Sequence, residues 1–219
     1  MRLEITVKVK SPIHLGSGQA DVNVDAEVIH DDCGLPYFPG RRFKGLLFES
    51  ALEVCEMSER SGMAIGSGTL DALFHHEEAG DVQLVIPNLY IKDPAGSETV
   101  RKAWEALETD YPDILRPADV LAEYTDLRYQ TKMDHGVAVR GSLHNMRVVN
   151  PGIEFTGIID IVGERAEDYL PLIAAAIRNL HTAGLKRTRG FGTISCHMVV
   201  LDGIKKDATE TDILEEVFA

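Results

Sequence analysis

Residues 184–192 read Gly184-Leu185-Lys186-Arg187-Thr188-Arg189-Gly190-Phe191-Gly192, three cations and a threonine set among three glycines. Glycine has no Cβ and tolerates positive φ, so such a backbone can come close to a polyanion while the lysine and arginines neutralise it. Phosphate binding is the chemistry this spacing serves. The common nucleotide loops do not fit it. A triphosphate loop needs Lys-Ser or Lys-Thr after its last glycine and then a helix, and a dinucleotide fingerprint needs Gly-x-Gly-x-x-Gly between strand and helix. Here a helix-like apolar run, Leu170 to Leu180, precedes the glycines and an alternating run, Phe191 to Val200, follows them. Two readings stay open: a helix-to-strand connection with a glycine C-cap, and a loop that clamps a nucleic-acid backbone.

A second basic group, Arg41, Arg42 and Lys44, follows Pro39-Gly40 directly. It falls in the first turn of a helix expected from Arg41 to Met57, where Phe43, Leu46, Leu47, Ala51, Leu52 and Val54 recur at helical spacing and should face the core. Cations at a helix N-terminus oppose the dipole, a conflict that a bound anion relieves. A third group is Arg128, Lys132, Arg140 and Arg147. These segments hold ten of the 22 cations, whereas acids crowd Glu98–Asp126 and Asp202–Glu216 and bring the net charge to −13. Indiscriminate nucleic-acid binding by the whole surface is excluded, but one basic groove is not if the three segments meet. His75-His76 and His135 have no partners at metal-ligand spacing. The cysteines, Cys33, Cys55 and Cys196, form no Cys-x-x-Cys pair and read as reduced thiols of a cytoplasmic protein without a structural zinc site.

The elements that must position these groups follow from periodicity. Arg2 to Lys10 alternates and is expected as a central strand, with no signal-peptide core and no bilayer-spanning stretch anywhere in the chain. Pro12 to Gly18 is a turn whose backbone is free to approach a ligand, and Asp21 to Ile29 an extended arm or hairpin. Ser61–Gly68 reads as a flexible loop, Leu70–Phe74 as a helical turn and Val82–Ile86 as a strand. Residues 92–125 read as an acidic, partly helical insertion, and 126–143 as a long hairpin closed near His135-Gly136. Strands at Arg147–Val149 and Ile153–Val162, a helix at Glu164–Thr182, a strand at Phe191–Leu201 and a short terminal helix at Asp207–Glu216 complete one domain over 1–219. The order is that of an α+β, ferredoxin-like (RRM-like) βαββαβ core with insertions and a thumb-like hairpin, whose sheet can receive single-stranded RNA on one face.

Three stretches together resemble one family. Leu35 to Gly45, read as Leu-Pro-Tyr-Phe-Pro-Gly-Arg-Arg-Phe-Lys-Gly, is similar to the Pro-Gly-Ser-Ser-Leu-Lys-Gly signature of the repeat-associated mysterious protein (RAMP) superfamily of CRISPR systems. Gly184–Gly192 resembles that superfamily's C-terminal glycine-rich loop, and Pro12–Gly18 its His-x-Gly turn. Within the superfamily the chain looks most like the backbone subunit of type III effector complexes. The resemblance implies partners: guide RNA, target RNA, other effector subunits, and further copies of the chain along the RNA. Asp25-Ala26-Glu27-Val28-Ile29-His30-Asp31 fills the slot of a family segment whose first aspartate faces the target RNA, which makes Asp25 the implied catalytic and metal-holding residue, with Asp21 and Asp31 as nearby competitors and magnesium or manganese as cofactor. Two arginines, Arg41 and Arg42, stand where the signature has serines.

Cleavage on this pattern needs no protein nucleophile, because a ribose 2′-hydroxyl can attack its own phosphate once the backbone is forced into line. Tyr129 and Met133 are candidates to wedge between bases in the hairpin. RNA contacts are expected at His14, Gly16, Gly18, Arg41, Arg42, Lys44, Arg128, Lys132, Lys186, Arg187 and Arg189. Two other readings compete: an RNA-binding subunit without chemistry, and a metal-independent guide-processing endoribonuclease acting through His14 or His30.

Overall fold

Leu3, Ile5, Val7 and Val9 are buried while the residues between them are not, the alternation of a strand covered on one face. In a computed structural model, which describes residues 1–62, 65, 70–74, 82–92, 97–112 and 114–218, this strand, β1 (Arg2–Val9), is central. It pairs antiparallel with β8 (Glu154–Val162) on one side and β9 (Ile194–Val200) on the other. β2 (Gln83–Val85) and β3 (Tyr90–Ile91) both add to β8, giving the order β2-β8-β1-β9 with β3 beside β8. Counted along the chain, the four core strands lie second, third, first, fourth, the ferredoxin-like arrangement expected.

α1 (Gly40–Ser61) and α5 (Leu170–Asn179) cover the apolar face. Phe43, Leu47, Ala51 and Val54 are buried as expected; Leu52 is 44% exposed, because it follows Ala51 by about 100° around the helix. α5 is shorter than Glu164–Thr182: a 3-10 turn at Ala166–Tyr169 leads into it, and Leu180 is already extended. The opposite face of the sheet carries cross-strand ion pairs, Lys8–Glu154 at 2.6 Å and Lys92–Glu4 at 3.7 Å. α6 (Glu210–Phe218) packs on α5 and closes the chain, starting three residues later than expected because Thr209 caps it through Asp212.

α2 (Leu70–Phe74) is the short helical turn expected. The insertion holds two helices, α3 (Ser97–Asp110) and α4 (Pro117–Tyr124), which dock through Trp104, Val120 and Leu121. Most of Ser61–Gly68, His75-His76 and residues 93–96 lie outside the described residues. Asp21–Ile29 forms no strand; it is a loop stitched by single bridges, Gly16 to Val28 and Asp21 to Val24.

The hairpin is longer than 126–143. β4 (Thr125–Gln130) pairs with β7 (His144–Val149), and β5 (Met133–Asp134) with β6 (Val137–Ala138) at the tip, where His135 and Gly136 take positive φ. Arg147–Val149 is therefore the return arm of the hairpin and not a separate strand. No helix among the described residues is long and apolar enough to cross a membrane. All three cysteines are buried free thiols.

Candidate nucleic-acid interface

Proline at position 12 ends the β1 ladder, and the chain crosses to β7, where Ile13 and Val149 exchange backbone hydrogen bonds of 3.1 and 2.8 Å. This swings His14 inward. It is 2% exposed, and its Nδ1–H donates to the Arg147 carbonyl at 2.7 Å. Gly16 makes room for the ring, since a Cβ there would lie 2.6 Å from His14 Nε2.

The glycine-basic loop packs onto this turn. Gly184, at φ +77°, lies so close that a Cβ would meet the His14 carbonyl oxygen at 2.8 Å, and Leu185 N–H donates to that oxygen at 3.3 Å. Gly192 donates to the Pro12 carbonyl at 2.9 Å, and a Cβ on it would fall 1.8 Å from the Ala183 oxygen. These two glycines serve close approach within the chain. Gly18 and Gly190, also at positive φ, border open space and leave their backbone accessible to a ligand.

α1 completes the wall. Gly40 is required at its start because a Cβ would meet the Ile86 oxygen at 2.4 Å. The N-cap residue, Pro39, makes no side-chain cap bond; Asn88 Oδ1 instead accepts the Gly40 N–H at 3.0 Å, and no acid lies in the first turn. Arg42 Nη2 donates to the Gly16 carbonyl, which binds α1 to the His14 turn. One turn and two turns on, Leu46 and Glu49 share its face, and Arg187 Nη1 lies 3.8 Å from Glu49 Oε2. Together these elements enclose an open groove of about 610 Å³.

The predicted residues divide accordingly. His14, Gly16, Gly18, Asp25 and Arg42 line the groove with Gly184 and Leu185, and Arg187 stands beside it. Arg41 and Arg189 are exposed nearby in sequence. Lys186, held at φ +59°, turns to the hairpin and donates to Gln130 Oε1, with His144 Nε2 at 3.4 Å. Lys44 leaves the group: its Nζ reaches the Leu84 carbonyl at 3.4 Å, and burial pulls its pKa down. Arg128 and Lys132 are exposed on the hairpin, Arg128 at 3.9 Å from Asp126. Asp25, Glu27 and Glu49 also face the groove, so it is mixed in charge.

Asp25 is exposed, and Asn145 on β7 holds it from two sides. Asn145 N–H donates to Asp25 Oδ2, and Asp25 N–H to Asn145 Oδ1, both at 2.8 Å. Behind it, Arg147 Nε lies 2.8 Å from Glu27 Oε1 without an aligned hydrogen bond, an electrostatic contact between two side chains only 17% and 10% exposed. Asn145, Glu27 and Gln130 had no signal in the sequence, since each matters through a partner distant along the chain. Among the described residues no three His, Cys, Asp or Glu side chains cluster as a metal site. A single exposed carboxylate is a donor set that would suit a divalent ion only in the manner of magnesium, which is held by one or two carboxylates and keeps most of its ligands from outside the protein.

The chain belongs to the RAMP superfamily, whose family model matches residues 6–195. The fold resembles that of a chain in a cryo-EM structure of type III-B Cmr-beta in the apo state, with a TM-score of 0.59, 11% identity, and coverage of 90% of this chain and 96% of that one. A chain from type III-B Cmr-beta bound to cognate target RNA gives a TM-score of 0.58 at 11% identity, covering 97% and 98%. Comparison with curated proteins returned no match.

Proposed function

We propose that this chain is a guide-RNA-binding backbone subunit of a type III CRISPR effector complex, and that Asp25 serves metal-dependent cleavage of target RNA. The observation that carries the reading is the convergence of Arg42, the His14–Gly18 turn and the Gly184–Leu185 corner on one groove with Asp25 on its wall. Membership of the RAMP superfamily and the fold shared with a chain from a complex holding target RNA support it. The reading brings guide RNA, target RNA, other effector subunits and neighbouring copies as partners, in the cytoplasm.

In this account Arg42, Arg187 and the accessible amides at Gly18 and Gly190 hold phosphates. Tyr129 and Met133, 62% and 56% exposed on the hairpin, part the stacked bases so that a ribose 2′-hydroxyl lines up with its phosphate. Magnesium or manganese bound with Asp25 would stabilise the negative charge that develops there. Asn145 and the Arg147–Glu27 contact keep the Asp25 loop against the hairpin during that step.

Asp25→Ala in the RNA-loaded complex should abolish divalent-dependent cleavage, with RNA affinity unchanged within about twofold. Cleavage at the parental rate would reject the catalytic role and leave a structural RNA-binding subunit. Products that form in EDTA would instead favour the guide-processing reading. For that reading the burial of His14 leaves the exposed His30 as the better placed histidine.

A further inference from the structure

An exposed aspartate on a loop without regular structure has many backbone and side-chain states to sample. At Asp25 a single residue restricts both. Asn145 donates its backbone N–H to Asp25 Oδ2 and accepts the Asp25 N–H on its own Oδ1, each at 2.8 Å. The remaining end of the same side chain, Nδ2, donates to the Asn23 carbonyl at 2.8 Å. The partners fix which end is which, because an amide N–H can only donate and a carbonyl can only accept. Asparagine is the residue that meets both demands at this reach; aspartate could only accept, and alanine could do neither. Two positions on, Arg147 N–H donates to the Ala26 carbonyl at 3.0 Å, so the strand grips the loop twice in succession.

We infer that Asn145 is a positioning residue for the Asp25 carboxylate, making the hairpin arm the part of the molecule that sets where that carboxylate stands; this rests on the role proposed for Asp25. With Oδ2 taken, Asp25 Oδ1 has no hydrogen-bond partner among the described residues and is the oxygen presented to a cation. Asn145 lies directly opposite Tyr129 in the β4–β7 register. RNA that seats against Tyr129 therefore acts on the strand pair that orients Asp25.

The test uses the full chain loaded with guide RNA and a target strand carrying a 2′-deoxyribose at the cleavage position, titrated with Mn²⁺. Paramagnetic broadening of the Asp25 amide signal gives the half-saturating concentration. Asn145→Ala keeps the backbone N–H that reaches Oδ2 but loses both side-chain bonds that hold the loop in place for it, and should raise the half-saturating concentration about tenfold with RNA affinity held within twofold. An unchanged Mn²⁺ profile in Asn145→Ala, alongside its loss in Asp25→Ala, overturns the inference and leaves the role of Asp25 standing. A profile that survives Asp25→Ala removes the role of Asp25 itself. Should Asn145→Ala not fold, hydrogen exchange on the unaltered chain decides: the Asp25 amide should be protected to the same degree as that of Arg147. Exchange at the rate of an open loop overturns the inference.

Discussion

Arg42, two residues into the first helix, donates from its guanidinium to the main-chain carbonyl of Gly16. One bond thus joins the start of α1 to the turn on which the glycine-rich loop also rests, since Leu185 N–H meets the His14 carbonyl. The three segments form one wall because backbone approaches backbone closely at Gly184 and Gly192, while Gly16 makes room for the buried His14 ring. The cations belong to that wall only where its geometry turns them toward the groove.

The two glycines at the end of the loop should therefore respond differently to alanine. Gly192→Ala adds a Cβ 1.8 Å from the Ala183 oxygen, at φ +74°. Gly190→Ala meets only the strain of φ +80° in open space. Urea denaturation should show a loss of about 1 kcal/mol for Gly190→Ala and about 4 kcal/mol or more for Gly192→Ala. Equal losses would mean that Gly192 is not a packing glycine.

The Arg147–Glu27 contact predicts an asymmetry between single and double substitution. Arg147→Ala strands a carboxylate whose side chain is 10% exposed, at a cost of about 3 kcal/mol. Replacing both, with Arg147→Met and Glu27→Gln, removes the stranded charge and should recover most of that loss in the same denaturation measurement. A double variant as unstable as the single one would show that the hydrogen bonds each residue makes elsewhere, Arg147 Nη1 to Thr125 Oγ1 and the Val28 N–H to Glu27 Oε1, and not the charges, hold the loop.

Glu210 supplies a pH dependence. Burial raises its carboxyl pKa, but hydrogen bonds from the Met198 amide and the His197 ring outweigh this and leave it below the usual 4.5. A carboxyl lowered in the folded state adds stability above its unfolded value and loses that contribution as pH falls through the lower, folded value. Amide exchange in α6 should accelerate as pH drops below 4.5, after correction for intrinsic rates, and this acceleration should be blunted in Glu210→Gln. Identical acid profiles for the two proteins would contradict it.

The core was legible because its periods are clean: β1 alternates, α1 repeats apolar residues at helical spacing, and the order of elements matches the ferredoxin-like sheet found. The apolar alternation alone starts β7 at Arg147, because His144 and Asn145 break it, yet these two pair with Gln130 and Tyr129. Proximity in sequence groups Lys44 with Arg42, but two helical steps of about 100° send it to the other side. Sequence order groups Lys186 with Arg187 and Arg189, but its left-handed backbone aims it at the hairpin. The Asn145–Asp25 bonds span 120 positions and depend on hairpin register, which no local pattern encodes.

The most direct test of the groove is photocrosslinking of the RNA-loaded protein with 4-thiouridine in the guide, followed by mass spectrometry of the adducts. The account predicts adducts in peptides covering 12–18, 40–46 and 184–192, with further ones on the hairpin between 128 and 143. Adducts confined to α3, α4 and α6, with none on the groove peptides, would contradict it.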